Sequence, residues 1–446
     1  MLRWLRMPQR PARAGVYGFA LAVLLVTGLL MLPVATADGS ATGFHVALFT
    51  ATSSVCVTGL TIVDTATHWS TFGHVAILVG VQLGGLGIMT FASLLGLLLS
   101  HRLGLRTRLL VAAETQSSQL GEVRRVVIRV VATSLVIEAV IAVILAVRLI
   151  VGYDVGVGRA AYLGVFHSIS AFNNAGFALQ SDNLVRYVTD SWVSVTIAGA
   201  VIVGSVGFPV LFELSRELRT PRRWSLHTKI TLLTSALLLG GGTATITAFE
   251  WTNADTFGPL SVPGKLLAGF FHGAMPRSGG FNTVDVGAMR EQTWLVTDVL
   301  MFIGGGSAST AGGIKVTTFM ILFFAILAEA RGDDTVDAFH RRIPTPVLRQ
   351  AVAVALLAVA VVVSATLALL TISGLDLDRV LFEVISAAAT VGLSTGITAD
   401  LPVAGHYLLV ALMFLGRVST VSLATALALR ERKRLYNYPM ERPIIG

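Results

Sequence analysis

The chain has 446 residues, of which 54% are hydrophobic and only 13% charged, with a net charge of +8 and a single cysteine, Cys56. Soluble domains carry about 25% charged residues, so this composition excludes a water-exposed globule and points to a surface that faces lipid. One cysteine excludes an intrachain disulfide and a multi-cysteine zinc site, and the basic balance fits a membrane protein better than a nucleic-acid binder.

The first apolar run, 16–34, follows Arg3, Arg6, Arg10 and Arg13 and precedes Ala35-Thr36-Ala37, which resembles a signal-peptidase site. The run is long enough to span a bilayer and longer than a signal-peptide core, so it is read as the first transmembrane helix. Further apolar segments follow at 72–99, 126–151, 192–212, 230–249, 294–327, 351–372 and 407–429, giving eight expected spans. Between the members of successive pairs lie semi-polar stretches at 44–57, 160–173, 264–277 and 380–389, too short to cross and therefore re-entrant candidates.

Most of the 33 Lys and Arg fall in the N-terminus, in 101–129, 216–229 and 330–349, and in the tail from Arg430. The positive-inside rule makes that side cytoplasmic, with both termini inside and the four short segments opening outward. The expected fold is an all-α integral membrane protein of four tandem helix–pore-loop–helix units around one pseudo-fourfold pore. The units are placed at 1–105, 106–222, 223–342 and 343–430, followed by a tail at 431–446.

Each short segment runs into a glycine-containing tripeptide: Val57-Thr58-Gly59, Asn174-Ala175-Gly176, Ser278-Gly279-Gly280 and Thr390-Val391-Gly392. The last continues as Leu393-Ser394 and echoes the Thr-Val-Gly strand of potassium channels. A dehydrated cation needs backbone carbonyls in place of its water shell. Aiming successive carbonyls one way needs backbone shapes that glycine adopts freely. The short helix before each tripeptide also aims its negative C-terminal end at the ion. One such glycine means nothing, since glycine is common where membrane helices pack. Four in the same context predict a cation filter, with potassium at its carbonyls.

The segment 294–327 is interrupted by ten small residues, Gly304-Gly305-Gly306-Ser307-Ala308-Ser309-Thr310-Ala311-Gly312-Gly313, followed by Ile314 and Lys315. Glycines cost about 1 kcal/mol each in a helix, so a break is expected here. A phosphate-binding P-loop fails on spacing, because Ile314 separates Gly313 from Lys315. The remaining functional reading is a flexible segment below the filter that blocks or clears the pore. Gly84-Gly85-Leu86-Gly87 and Gly204-Ser205-Val206-Gly207 read as close-packing or hinge points. Arg417 stands in an apolar helix, where an unpaired arginine costs at least about 2.5 kcal/mol. Lys315 reads equally as a gate contact or as a membrane anchor. Glu138 is expected to pair with a neighbouring helix, Asn173 and Asn174 to line or brace the second filter strand, and His167 and His272 to pack or hydrogen-bond rather than to ligate metal. Facing Ser/His or Asp/Asp pairs are absent, so no enzyme activity is expected.

With these residues in view, the chain resembles the Trk/Ktr/HKT superfamily of potassium transporters, and within it the Ktr-type membrane subunit. The resemblance rests on Val55-Cys56-Val57-Thr58-Gly59-Leu60, Phe172-Asn173-Asn174-Ala175-Gly176-Phe177, Arg277-Ser278-Gly279-Gly280-Phe281-Asn282 and Thr390-Val391-Gly392-Leu393-Ser394, and it covers essentially the whole chain. It implies potassium uptake, with glycine at all four filter positions resembling the potassium-selective members. The loop 304–313 looks like the family's intramembrane gate, and Arg417 like the arginine below its filter. It also implies a homodimer, with the tail at the contact, and a separate cytoplasmic Rossmann-type subunit that binds nucleotides. No cofactor is expected in this chain. Potassium is the expected transported ion, sodium stands open as an activating or coupling ion, and the alternative is a sodium-selective or unselective pathway of the same fold. The expected location is the plasma membrane.

Overall fold

The computed structural model describes residues 11–100 and 119–429, and side-chain surroundings over 15–87 and 127–418. Arg3, Arg6, Arg10, the centre of the basic segment 101–129 and the tail 431–446 lie outside the described residues.

The chain is helical, as its composition predicts. The helices run in order α1 (Pro11–Leu30), α2 (Phe44–Val55), α3 (Thr65–His68), α4 (Thr71–Ser100), α5 (Gln119–Tyr153), α6 (Val157–Phe172), α7 (Ser191–Val206) and α8 (Phe208–Glu217). They continue as α9 (Leu226–Glu250), α10 (Val262–Ala274), α11 (Glu291–Ile303), α12 (Val316–Arg331), α13 (Thr345–Ser373), α14 (Leu377–Ala388) and α15 (Val403–Leu429). Among the described residues, three helices are long and apolar enough to cross a membrane, over Val127–Tyr153, Leu226–Glu250 and Thr345–Ser373, with a fourth span if α7 and α8 are counted as one. Shorter apolar stretches occur at Gly15–Leu30, Thr71–Gly87 and Val403–Val418.

Local chemistry sets the helix boundaries. Asp190 caps α7 by accepting from Trp192 N at 2.9 Å and Val193 N at 3.3 Å, and Ser225 caps α9 by accepting from Thr228 N at 3.2 Å. Such caps satisfy orphan amide donors at a helix start. At the other end, α12 stops at Gly332 and α13 at Gly374, both left-handed, a conformation glycine adopts without a Cβ penalty.

Two departures from the expected fold have plain causes. The apolar segment 192–212 reads as one span, but it bends by 98° between α7 and α8. Gly207 at the break has φ +98°, and Pro209 then starts a new helix. The all-α expectation also omits a small ribbon in the basic segment 330–349, where β1 (Asp337–Ala338) pairs antiparallel with β2 (Arg341–Arg342). Phe339 and His340 between them both have positive φ, the geometry of a tight two-residue hairpin.

The short helices α2, α6, α10 and α14 fall on the four predicted re-entrant segments; α2, α6 and α14 pack against the helices on both sides, and α10 packs against α9. Between successive parts of the chain, α4 meets α5 and α6, α7 meets α10, and α11 meets α14. The last helix, α15, returns to α1 and α2, which closes the circuit. Large apolar side chains fill the space behind the tripeptides: Phe49, Phe166, Phe271 and Phe382 on the short helices, and Leu60, Phe177, Phe281 and Leu393 just after the glycines, all buried.

Candidate ion pathway

The four tripeptides share one backbone pattern. Their first residues, Val57, Asn174, Ser278 and Thr390, all have positive φ, between 50° and 79°, and so do their glycines, between 69° and 92°. The middle residues Thr58, Ala175, Gly279 and Val391 are not in the left-handed region. Alternation of hand along a strand turns successive carbonyls to one side, unlike a pleated strand where they alternate. β-branched Val57 and Thr390 in this region each cost on the order of 1–3 kcal/mol, so the surrounding packing imposes the shape.

The short helices dictate how the strands leave. In three of them the middle-residue amide donates back to a serine carbonyl on the helix: Thr58 N to Ser53 O at 2.7 Å, Ala175 N to Ser170 O at 2.7 Å and Val391 N to Ser386 O at 2.8 Å. Two of these serines also accept a filter glycine amide, Gly59 N on Ser53 Oγ at 3.0 Å and Gly392 N on Ser386 Oγ at 3.1 Å. The third tripeptide has Ala274 at that place, and Gly279 N donates to Met275 O at 2.7 Å instead.

The four glycines meet. A methyl group added to Gly59 would lie 2.1 Å from Ala175 O, and one on Gly392 would lie 2.0 Å from Thr58 O. On Gly280 it would stand 2.7 Å from Val391 O, and on Gly176 2.7 Å from Gly280 Cα and 3.1 Å from Gly279 O. Each glycine therefore faces the middle-residue carbonyl of an adjoining strand, and all four such carbonyls converge. The twelve predicted filter residues are thus brought together at one place, and any side chain at the glycines would fill it.

The predicted break lies directly behind this place. Between Ile303 and Val316 the chain is irregular, with positive φ at Gly304, Ala308, Gly313 and Lys315. It is held by its neighbours' backbone carbonyls and one hydroxyl: Gly306 N donates to Ser205 O at 2.7 Å, Thr310 Oγ1 to Gly204 O at 3.0 Å, and Gly312 N to Ser278 Oγ at 3.2 Å. Ser278 Oγ donates in turn to Thr390 O at 2.6 Å, so the loop is tied to two of the tripeptide strands. Ser309 Oγ donates to Gly306 O at 2.6 Å, and Ser307 shares a bond with Thr317 at 2.9 Å. Irregular backbone is tolerated at membrane depth only where protein or a water path satisfies it.

Both predicted buried cations reach this loop. Lys315 Nζ donates to Ala311 O and to Gly312 O, the latter at 3.4 Å. Arg417, 1% exposed, donates through Nη1 to Thr310 O and through Nη2 to Gly84 O at 3.5 Å. Lys315, which reads equally as a gate contact or as a membrane anchor, is thus tied to carbonyls of its own loop. The predicted close-packing glycines are also accounted for. A methyl on Gly84, Gly204 or Gly416 would lie 1.9–2.1 Å from Val55 O, Phe172 O or Ala388 O, at the C-terminal end of a short helix.

Glu138 pairs across helices, as expected of a lone intramembrane carboxylate. It accepts from Gln82 Nε2 at 3.1 and 3.2 Å and from Asn173 Nδ2 at 3.0 Å. Several residues were not legible from the sequence. Arg277, immediately before the third tripeptide, is 1% exposed and donates to Ser235 O at 3.1 Å and Ser235 Oγ at 2.6 Å. Glu383 is fully buried behind the fourth strand, and Asp298 on α11 is its buried acidic neighbour. A glutamate one residue after a phenylalanine on a short helix was the available signal for Glu383. Among the described residues no group of three His, Cys, Asp or Glu is placed to hold a metal ion.

Long apolar helices, four convergent glycine strands and an irregular intramembrane loop define a multi-pass membrane protein of the cation-transport class. A family model described as "TrkH: Cation transport protein" matches residues 6–437, and the chain belongs to this family. It is 38% identical over 439 residues to the Ktr system potassium uptake protein B of Bacillus subtilis, covering 98% of this chain and 97% of that one. It is 39% identical over 430 residues to the protein of the same name from Vibrio alginolyticus, covering 96% and 93%. The potassium/sodium uptake protein NtpJ of Enterococcus hirae is 32% identical over 454 residues, covering 100% and 99%. Among solved structures, the potassium transporter TrkH from Vibrio parahaemolyticus superposes with a TM-score of 0.71 at 17% identity, over 96% of this chain and 86% of that one.

Proposed function

We propose that the chain is the membrane subunit of a potassium uptake system, passing ions through a carbonyl filter at Gly59, Gly176, Gly280 and Gly392. The observation that carries this reading is the convergence of the four middle-residue carbonyls on those glycines. Convergent carbonyls at membrane depth replace a cation's hydration shell, and they repel anions. Potassium rather than another cation follows from the near full-length identity to the Ktr system potassium uptake proteins. The four units, 1–105, 106–222, 223–342 and 343–430, would then surround one pseudo-fourfold axis, with both termini cytoplasmic.

The loop from Gly304 to Lys315 acts as the gate in this reading. It occupies the inner side of the filter, and its carbonyls are held by Lys315 and Arg417. Two cationic groups there also raise an electrostatic barrier to an ion leaving inward. Opening requires the loop to move, and the resemblance to Ktr-type subunits assigns that control to a separate cytoplasmic nucleotide-binding subunit. A homodimer joined through 431–446 belongs to the same reading. A sodium-conducting or sodium-coupled variant is favoured by one observation, the identity to a potassium/sodium uptake protein.

The test is cation flux into liposomes containing the purified chain, with potassium, rubidium and sodium compared, for wild type and Gly392→Ser. Potassium- and rubidium-selective flux that the serine weakens or broadens supports the filter. Equal sodium flux that the variant leaves unchanged would falsify it. In the same assay Arg417→Gln, which withdraws the charge from the Thr310 carbonyl, is expected to raise potassium flux several-fold. An unchanged rate would remove Arg417 from the gate.

A further inference from the structure

The strands beyond the filter glycines are held by side chains from the short helices, and three of the four follow one rule. The amide of the third residue after the glycine donates to a buried acceptor on the preceding short helix. Leu179 N donates to His167 Nε2 at 3.4 Å, Thr283 N to His272 Nε2 at 3.3 Å and Thr395 N to Glu383 Oε1 at 3.1 Å. The acceptors are 4%, 3% and 0% exposed. The acceptor end of His167 is fixed by its other nitrogen, because Nδ1 lies 2.8 Å from Leu163 O, a carbonyl that can only accept. Its Nδ1 therefore carries the proton and leaves Nε2 a lone pair.

Glu383 makes the most complete clamp. Besides the Thr395 amide it accepts from Ser394 Oγ, and Thr398 Oγ1 donates to Oε2 at 3.0 Å. Ser394 in turn accepts from Gly396 N at 2.9 Å. The carboxylate thus gathers residues 394–398, immediately beyond Thr390-Val391-Gly392. Aligned on the filter glycine, Glu383 and His167 occupy the same position of their short helices, and His272 lies one residue closer to its glycine. In the first unit that position is Thr50, whose hydroxyl makes no hydrogen bond.

We infer that His167, His272 and Glu383 are positioning residues of the filter: buried acceptors that fix the outer ends of three strands and so hold the carbonyls at the spacing that distinguishes potassium from sodium. The inference rests on the transport reading above and adds to it residues that never touch the ion. What the clamp requires is a buried acceptor at the right depth, not a negative charge, since two of the three acceptors are imidazoles. The prediction is therefore unusual: histidine should replace Glu383, whereas alanine should not.

The experiment compares potassium and sodium flux in liposomes for wild type, Glu383→Ala and Glu383→His, with detergent melting curves recorded for each. Glu383→Ala is expected to lower the potassium-over-sodium ratio about tenfold, a change of 1.4 kcal/mol in relative barrier. Glu383→His is expected to stay within about twofold of wild type, because imidazole serves as the same acceptor at the aligned position of the second unit. A generally weakened protein changes the amount of flux rather than the ratio. A wild-type ratio in folded Glu383→Ala overturns the clamp, as does a Glu383→His ratio as low as that of alanine or a histidine variant that does not fold. If Glu383→Ala does not fold, a folded histidine variant with the wild-type ratio supports the clamp. A wild-type chain without potassium preference overturns the transport reading itself, and the clamp with it. A potassium-selective wild type whose ratio ignores these substitutions overturns the clamp alone.

Discussion

Asp190 shows how much one side chain at the start of a helix can do. It caps α7, accepts from Arg148 Nε at 2.8 Å and from Tyr153 Oη at 2.9 Å, and so joins the end of α5 to the start of α7. Burial pushes its carboxyl upward, but the hydrogen bonds from Arg148 and Tyr153 outweigh that and hold it below its ordinary 3.8. A carboxyl so lowered stabilises the fold above its unfolded pKa and loses that contribution as pH falls through the folded value. Arg148 is one-third exposed, so solvent screens the pair. Asp190→Asn keeps the cap and should cost about 0.5–1 kcal/mol at pH 7. In detergent melts the gap to wild type should close below about pH 4; a gap unchanged at pH 3 would contradict the assignment. At this scale the sequence was informative where chemistry alone constrains a residue. Four glycines after short segments are too regular for helix packing alone, and an arginine inside an apolar run must find acceptors or water. The sequence was silent where the partner lies far along the chain. Phe382 before it marks Glu383 but not its hold on Thr395, and Arg277, beside Ser278, gives no local sign of its partner Ser235.

At the level of elements, the two broken helices make a useful contrast. The break between α11 and α12 is written locally, since ten small residues cannot sustain a helix. The 98° bend between α7 and α8 is written only in part, because Gly204-Ser205-Val206-Gly207 reads as a hinge or as a close-packing point and the apolar run around it could equally continue straight. What decides it is tertiary. The turned chain brings Gly207 against the loop, where an added methyl would stand 2.5 Å from Ser307 O, and Phe208 N donates to Ala308 O at 3.4 Å. The second break thus serves the first. Gly207→Ala meets both the steric contact and a φ of +98°, and should destabilise the protein by about 1–3 kcal/mol. Melting curves that match the wild type would show that the bend relaxes without cost. The middle of α8 has a similar purpose: Glu213 accepts from Ser225 N at 2.6 Å and Ser225 Oγ at 2.7 Å, fastening the start of α9.

The molecule as a whole turns its polar work inward and its apolar surface outward. The centre holds Arg277, Arg417, Glu138 and Glu383 with hydrogen-bond partners, whereas α13 leaves Leu356 and Leu367 66% and 61% exposed. In water such a face would drive aggregation; in lipid it is the solvent-matched surface. Leu356→Arg places a charge on that face near the middle of a 29-residue helix, at a cost of about 3 kcal/mol for insertion. The expected result is a sharp loss of membrane-extracted protein, whereas Leu356→Phe should extract normally. Equal yields would mean that this face meets protein or water instead. Hydropathy alone made the outward face legible. The closure of α15 onto α1 and α2 was not, because no local signal says which helices become neighbours.

The four glycines that meet at the centre are encoded at four separate places in one gene. Where a ring of strands comes from copies of a single polypeptide, one codon change alters every quadrant at once. Here a change at Gly392 alters one of the four meeting strands and leaves Gly59, Gly176 and Gly280 as they were. A mutation therefore arrives in quarter doses. A new residue can be tried in one strand while three stay as they were, and a laboratory series from one to four substituted strands becomes a titration by genotype.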